Sequence, residues 1–170
     1  MELEEMKRGW EEMNERVSRL ETRLDMSKKT SAQDRLVRKY KYFAVFGVLA
    51  GVVFFPLIAI KLNIYVAIFY LAFMLFAGVL DYALILRLKG MDLAQLSVAG
   101  YALEARKCRR QHHIRELVLL PLAIALLVFF WYSTDARHLH IAIIIGVIIG
   151  LAAGIAVYLK MMQEYKQMME

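Results

Sequence analysis

Four apolar runs constrain this chain more than anything else in it: 43–60, 64–86, 117–132 and 141–159. As helices they would reach about 27, 34, 24 and 28 Å, close to the thickness of a bilayer's hydrocarbon core. Asp81 is the only formally charged residue in any of them. A soluble domain of 170 residues has no use for four such segments, because its helices keep one face polar. The pattern predicts an all-α, polytopic membrane protein with four transmembrane helices and an amphipathic N-terminal helix on the cytoplasmic side.

Charge is abundant but segregated. Charged residues make up 22% of the chain, nearly all in the segments flanking the spans, as in a membrane protein with soluble extensions. Two prolines and nine glycines leave no Pro/Gly-rich linker, so a single bundle is expected. Residues 1–42 hold 11 Lys/Arg and 9 Asp/Glu without an apolar stretch. No cleavable signal peptide is therefore expected, and the first span would insert itself.

Orientation follows from the cations. The tail before span 1 carries 11 Lys/Arg, the segment between spans 2 and 3 carries 7, and the tail after span 4 carries 2. The other two loops hold only Lys61 and Arg137. By the positive-inside rule both termini and the middle segment should be cytoplasmic. The formal charge of +6 then points to anionic lipid headgroups rather than nucleic acid, for which no reader fold is visible.

The N-terminal tail has heptad spacing. Leu3, Trp10, Val17 and Leu24 fall at a, and Met6, Met13 and Leu20 at d. In a parallel pair of such helices Glu2 would face Lys7 and Arg16 would face Glu21, both attractively; Arg23 against Lys28 is repulsive and marks the coil's end. The acidic Glu11, Glu12, Glu15 and Glu21 argue against a helix lying on anionic lipid. Trp10, Met13, Val17 and Leu20 are thus the candidate partner-binding residues, toward a second copy or toward a cytoplasmic protein. Packing of this helix on its own chain is the third possibility. Ser27, Thr30, Ser31 and Asp34 break the stripe, so 1–27 reads as the heptad helix and 28–42 as a connector.

Further along, Gly47 and Gly51 form a small-xxx-small pair in span 1, and Pro56 should kink that span near its end. Between spans 2 and 3, Gly90 is a stop signal, and Asp92 with Gln95 resembles a capping box that opens an interfacial helix over 92–113. Span 3 should begin early, near Ile114, with Arg115 snorkelling to the headgroups and Pro121 tolerated close to the helix start. Span 4 carries Gly146, Gly150 and Gly154 at four-residue spacing, a groove fit for a neighbouring helix. This gives a four-helix bundle over 43–160, with spans 43–60, 64–86, 114–132 and 141–159, and a cytoplasmic tail over 161–170.

Of the chemically capable residues, Asp81 stands out, because a charge inside a span must be paired or hydrated. It lies six residues from Arg87, about 9 Å inside the helix end, so pairing with Arg38, Lys39 or Lys41 of span 1 is the economical expectation. Asp135, His138 and His140 share one loop, yet no metal or cofactor site is expected. His112 and His113 read as part of the basic surface. Cys108 reads as a thiol on a partly buried face, with S-acylation the alternative. No nucleophile elbow, Walker loop, zinc-hydrolase motif or paired intramembrane carboxylate occurs, so no enzyme is expected.

The run Glu2-Leu3-Glu4-Glu5-Met6-Lys7 followed by Trp10, Met13 and Val17, together with Met91-Asp92-Leu93-Ala94-Gln95-Leu96-Ser97, resembles a group of uncharacterised small four-span bacterial membrane proteins, some encoded near extracytoplasmic-function sigma factors. The resemblance implies a bacterial inner-membrane location and a regulatory role, and offers no catalytic residues. The expected function is an interaction protein whose cytoplasmic helix binds itself or a soluble partner. The alternative is a small transporter or channel subunit using Asp81.

Overall fold

The computed structural model describes residues 2–91, 96–134 and 137–169. Four helices account for almost all of them: α1 (Glu2–Lys61), α2 (Ile64–Lys89), α3 (Val98–Tyr132) and α4 (Arg137–Met169). No strand occurs among the described residues. Each helix contains a stretch long and apolar enough to cross a membrane. Neighbours run in ring order, with α1 against α2, α2 against α3, α3 against α4 and α4 back against α1. The end of α2, the start of α3 and the end of α4 lie together with Ala32–Tyr40 of α1 at one end of the ring, the terminal end; the end of α1, the start of α2, the end of α3 and the start of α4 lie at the other, the turn end.

Two expected boundaries disappear. The heptad helix, the 28–42 connector and span 1 are one unbroken helix of 60 residues, about 90 Å long at 1.5 Å per residue. The polar residues that end the heptad stripe do not end the helix. Ser31 accepts from Arg35 (3.0 Å), Thr30 bonds back to Met26 O (3.0 Å), and a new apolar line of Ala32, Leu36 and Tyr40 takes over at i+4 spacing. Likewise the interfacial segment and span 3 are one helix of 35 residues, capped by Ser97, whose hydroxyl accepts from Gly100 N at 3.1 Å. Asp92 and Gln95, the expected capping box, lie outside the described residues. Pro121 is consequently deep inside α3 rather than near its start, where its missing N–H leaves the carbonyl of Leu117 without its usual acceptor role. Asn63 caps α2 through a 2.9 Å bond from Tyr65 N, and Gly90 closes it with a right-handed backbone (φ −75) and an N–H to Leu86 O at 3.0 Å.

The core is not where the apolar runs are. The main buried cluster collects Ala32, Leu36 and Tyr40 of α1, Leu84, Ile85 and Leu88 of α2, Met91, Tyr101, Ala105 and Cys108 of α3 or just before it, and Met161, Tyr165 and Met168 of α4. All belong to the terminal end, at or beyond the ends of the apolar runs. The runs themselves face outward: Phe46, Val52, Ile60, Val79, Leu117, Ile148 and Ile149 are exposed. Apolar exteriors of this extent are at home only against lipid. A smaller contact near the turn end joins α2 to α3, where Phe69 meets Phe129 edge-on at 5.4 Å and Tyr70 packs on Phe130.

The glycines divide sharply. A Cβ on Gly51 would sit 3.1 Å from Met74 Cβ and 3.3 Å from Leu71, and one on Gly78 would sit 3.3 Å from Val48 Cγ2. Gly51 and Gly78, the latter missed in the sequence, are where α1 and α2 close on each other. Gly47, Gly146, Gly150 and Gly154 have open space instead, so no helix of this chain fills the α4 groove. Gly51→Leu should therefore wedge α1 from α2 and cost about 1–3 kcal/mol of overpacking, whereas Gly150→Leu should leave the isolated chain's thermal midpoint in detergent unchanged. A melting comparison of the two variants checks this.

Candidate functional site

The polar side chains buried at the terminal end form the only concentrated chemistry in the described bundle. Asp81 is 2% exposed, because α2 turns it inward one helical turn before Leu84 and Ile85. Its partner is not Arg38, Lys39 or Lys41 but Arg115, whose Nε lies 2.8 Å from Asp81 Oδ1. The approach angle makes this a close ion contact rather than an aligned hydrogen bond. Arg115 also reaches Glu116. It therefore points into the ring and does not snorkel outward; a buried carboxylate attracts it more strongly than the headgroup layer does.

The cations expected to serve Asp81 are engaged elsewhere. Lys39 contacts Glu164 Oε1 at 2.8 Å, and Arg35 reaches the same oxygen at 3.4 Å while donating to Gln167 at 2.7 Å. These contacts pin α1 to α4. Gln33 donates to the carbonyls of Leu88 (2.5 Å) and Met91 (2.9 Å) and accepts from Tyr101 OH (2.9 Å), so one amide joins α1, the end of α2 and α3.

At the centre, the Tyr40 hydroxyl lies 2.7 Å from His112 Nδ1 and 3.0 Å from Tyr165 OH. His112 is thus not surface but 1% exposed. Burial, helped by the nearby charges of Arg115 and His113, pushes its imidazole down to about 4, which keeps the ring neutral near pH 7. Its Nε2 has no partner among the described residues. The ring faces a cavity of about 300 Å³ between α1, α3 and α4, lined also by Phe43, Arg115, Gly154 and Tyr158. His113 turns the other way and meets Tyr158 OH at 3.1 Å. Sequence spacing held a signal for this centre: Tyr101, Ala105, Cys108 and His112 share one face of α3.

The remaining candidates separate from it. Cys108 is fully buried against Met91 Sδ at 3.8 Å, and burial, outweighing Arg87, pushes its thiol up to about 11. That environment disfavours the thiolate and shields the sulfur from acylation. His140 packs tilted against Trp131 and meets its carbonyl at 3.2 Å; Asp135 and the side chain of His138 lie outside the described residues. No metal-ligating cluster occurs among the described residues. Trp10, Met13, Val17 and Leu20 are 63%, 53%, 46% and 58% exposed, so none of these four is buried against another helix of the chain. No protein family, curated protein or solved structure matches the chain. What stands is the class: an all-helical protein with four membrane-length apolar helices tied at one end by buried polar contacts.

The Asp81–Arg115 contact has a direct test. Removing one partner of a buried pair leaves the other uncompensated, whereas replacing both by apolar residues is close to neutral. Asp81→Leu should lower stability by about 3 kcal/mol, and Asp81→Leu/Arg115→Leu should recover most of it. Denaturation in detergent reads both; no recovery in the double variant would remove the pair from the account.

Proposed function

We propose that the protein is a non-enzymatic interaction protein of the bacterial inner membrane, with both termini and the α2–α3 connection cytoplasmic, whose N-terminal arm pairs with a second copy. The observation that carries this reading is the exposed stripe Met6, Trp10, Met13, Val17, Leu20 and Leu24 on a helix continuous with the first span. Exposed apolar residues in a strict 3–4 rhythm are costly in water unless something covers them. Helical continuity supports transmission, because a partner held by the arm is coupled to α1 and through Gln33, Arg35 and Lys39 to the other helices. The cation asymmetry supports the orientation. Asp81 in an ion pair with Arg115 fits a structural role better than the transporter alternative.

A parallel pair places Arg16 against Glu21 of the other copy. In the single chain neither residue has an ion-pair partner among the described residues, so both are available across such an interface. Arg16→Glu should weaken self-association, and adding Glu21→Arg should restore it. Disulfide cross-linking of Leu20→Cys in the otherwise cysteine-free, full-length protein reads the outcome. Symmetric cross-links with charge-swap rescue support pairing. Absence of cross-links, with a co-purifying protein lost on Trp10→Ala, would assign the stripe to a cytoplasmic partner instead.

A further inference from the structure

Several of the cations at the terminal end are neutralised locally. Lys29, Arg35, Lys39, Arg87, Lys107 and Arg115 all contact carboxylates. Arg106, Arg109 and Arg110 make no ion pair or hydrogen bond among the described residues, as is also true of Lys28, Arg38, Lys41, Lys89 and Lys160; what sets the three arginines apart is that they gather on one cleft. Their spacing, with His113, is i, i+3, i+4, i+7, which gathers them on one face of α3. That face does not look into open solvent alone. It walls a cleft of about 560 Å³ whose far side is Lys166 and Met169 of α4, and no acidic residue is among its described lining.

Three guanidinium groups gathered with no acidic side chain among the described lining repel one another, and that repulsion is relieved by an anion bound among them. Guanidinium forks match oxygens arranged around phosphorus, and several forks can engage one phosphate at once. The residues lie four to eight positions before Ile114, about 6–12 Å beyond the expected start of span 3. That depth covers the headgroup layer and the water beside it, so a phosphate could arrive on a lipid or free in solution.

We propose that the α3–α4 cleft bounded by Arg106, Arg109 and Arg110 is a binding site for a phosphate-bearing anion. The site is separate from the N-terminal arm, so its occupancy stands independently of self-association. The spacing of the helices in the ring fixes it: α4 is held opposite α3 by the Tyr158–His113 contact and by Tyr40, whose hydroxyl meets both His112 of α3 and Tyr165 of α4, which sets the width of the cleft.

The test uses the full-length protein in an uncharged detergent. Pyrophosphate is titrated calorimetrically as the soluble probe, and phosphatidate is compared with phosphatidylcholine by native mass spectrometry as the lipid probe. The variant R106Q/R109Q/R110Q replaces exposed side chains without touching the core. R8Q/R19Q/R23Q removes the same formal charge from the N-terminal arm and serves as the control. Saturable binding of one equivalent is expected for at least one probe, weakened about tenfold or more by the cleft variant and less than about twofold by the control. Binding of pyrophosphate alone assigns a soluble phosphate; binding of phosphatidate alone assigns a lipid headgroup. Saturable binding of neither probe, or equal loss in the two variants, overturns the proposal.

Discussion

The Tyr40 hydroxyl is shared between His112 of α3 and Tyr165 of α4, and the arrangement of the four helices depends on that shared contact. Helices whose apolar faces all meet lipid gain little from sticking to one another there, because the tails are as apolar as their side chains. Something outside the hydrocarbon has to set their order. Tyr40 is fully buried and its ring packs within the cluster of Leu36, Leu84, Tyr101 and Tyr165. A hydroxyl in such surroundings is costly unless bonded, so the geometry that satisfies it is selected over alternatives that would leave three polar groups stranded.

Around that centre, the ion contacts act as directional ties rather than as bulk stabilisation. Asp81 with Arg115 joins α2 to α3, and Glu164 with Lys39 and Arg35 joins α4 to α1. Buried pairs of this kind contribute little net stability against an apolar replacement, yet mispairing them is expensive. Their value is specificity of neighbour and register. Together with Gln33 they close the ring in the order α1, α2, α3, α4, while the close approach at Gly51 and Gly78 locks the one hairpin that packs tightly along its spans. The result is a molecule organised inside out, with its buried core at one end and apolar runs that present their side chains outward.

Much of this was legible in the residues. Four apolar runs give four helices directly, since length and hydropathy together leave no other element. The N-terminal arm is helical, but as the first part of α1 rather than as a separate amphipathic helix. What the residues concealed were continuities and partners. Ser27, Thr30 and Ser31 look like breakers, yet their hydroxyls are accommodated on helix surface, and Ala32, Leu36 and Tyr40 restart the apolar face at a shifted angle. Asp81 called for a cation, but several lie at similar sequence depth, and only the ring order decides that Arg115 faces it while Lys39 faces Glu164. His112 and His113 are adjacent in sequence and point to opposite surroundings, one buried and one exposed, because a helix turns 100° per residue. The glycine spacing in α4 suggested contact where the chain makes none, and Gly78, single and unpatterned, makes one.

The Tyr40 hydroxyl, not merely its ring, orders the bundle. Tyr40→Phe keeps the ring and removes the oxygen, leaving His112 Nδ1 and the Tyr165 hydroxyl without their partner. Tyr158→Phe, which removes one hydroxyl contact to the exposed His113, is the matched control. Equilibrium unfolding of both variants in detergent should show Tyr40→Phe destabilised by about 1–3 kcal/mol, the usual cost of stranding buried polar groups, with Tyr158→Phe changed by less than about 0.5 kcal/mol. Equal stability of the two variants would contradict the account, because the ring order would then rest on packing alone.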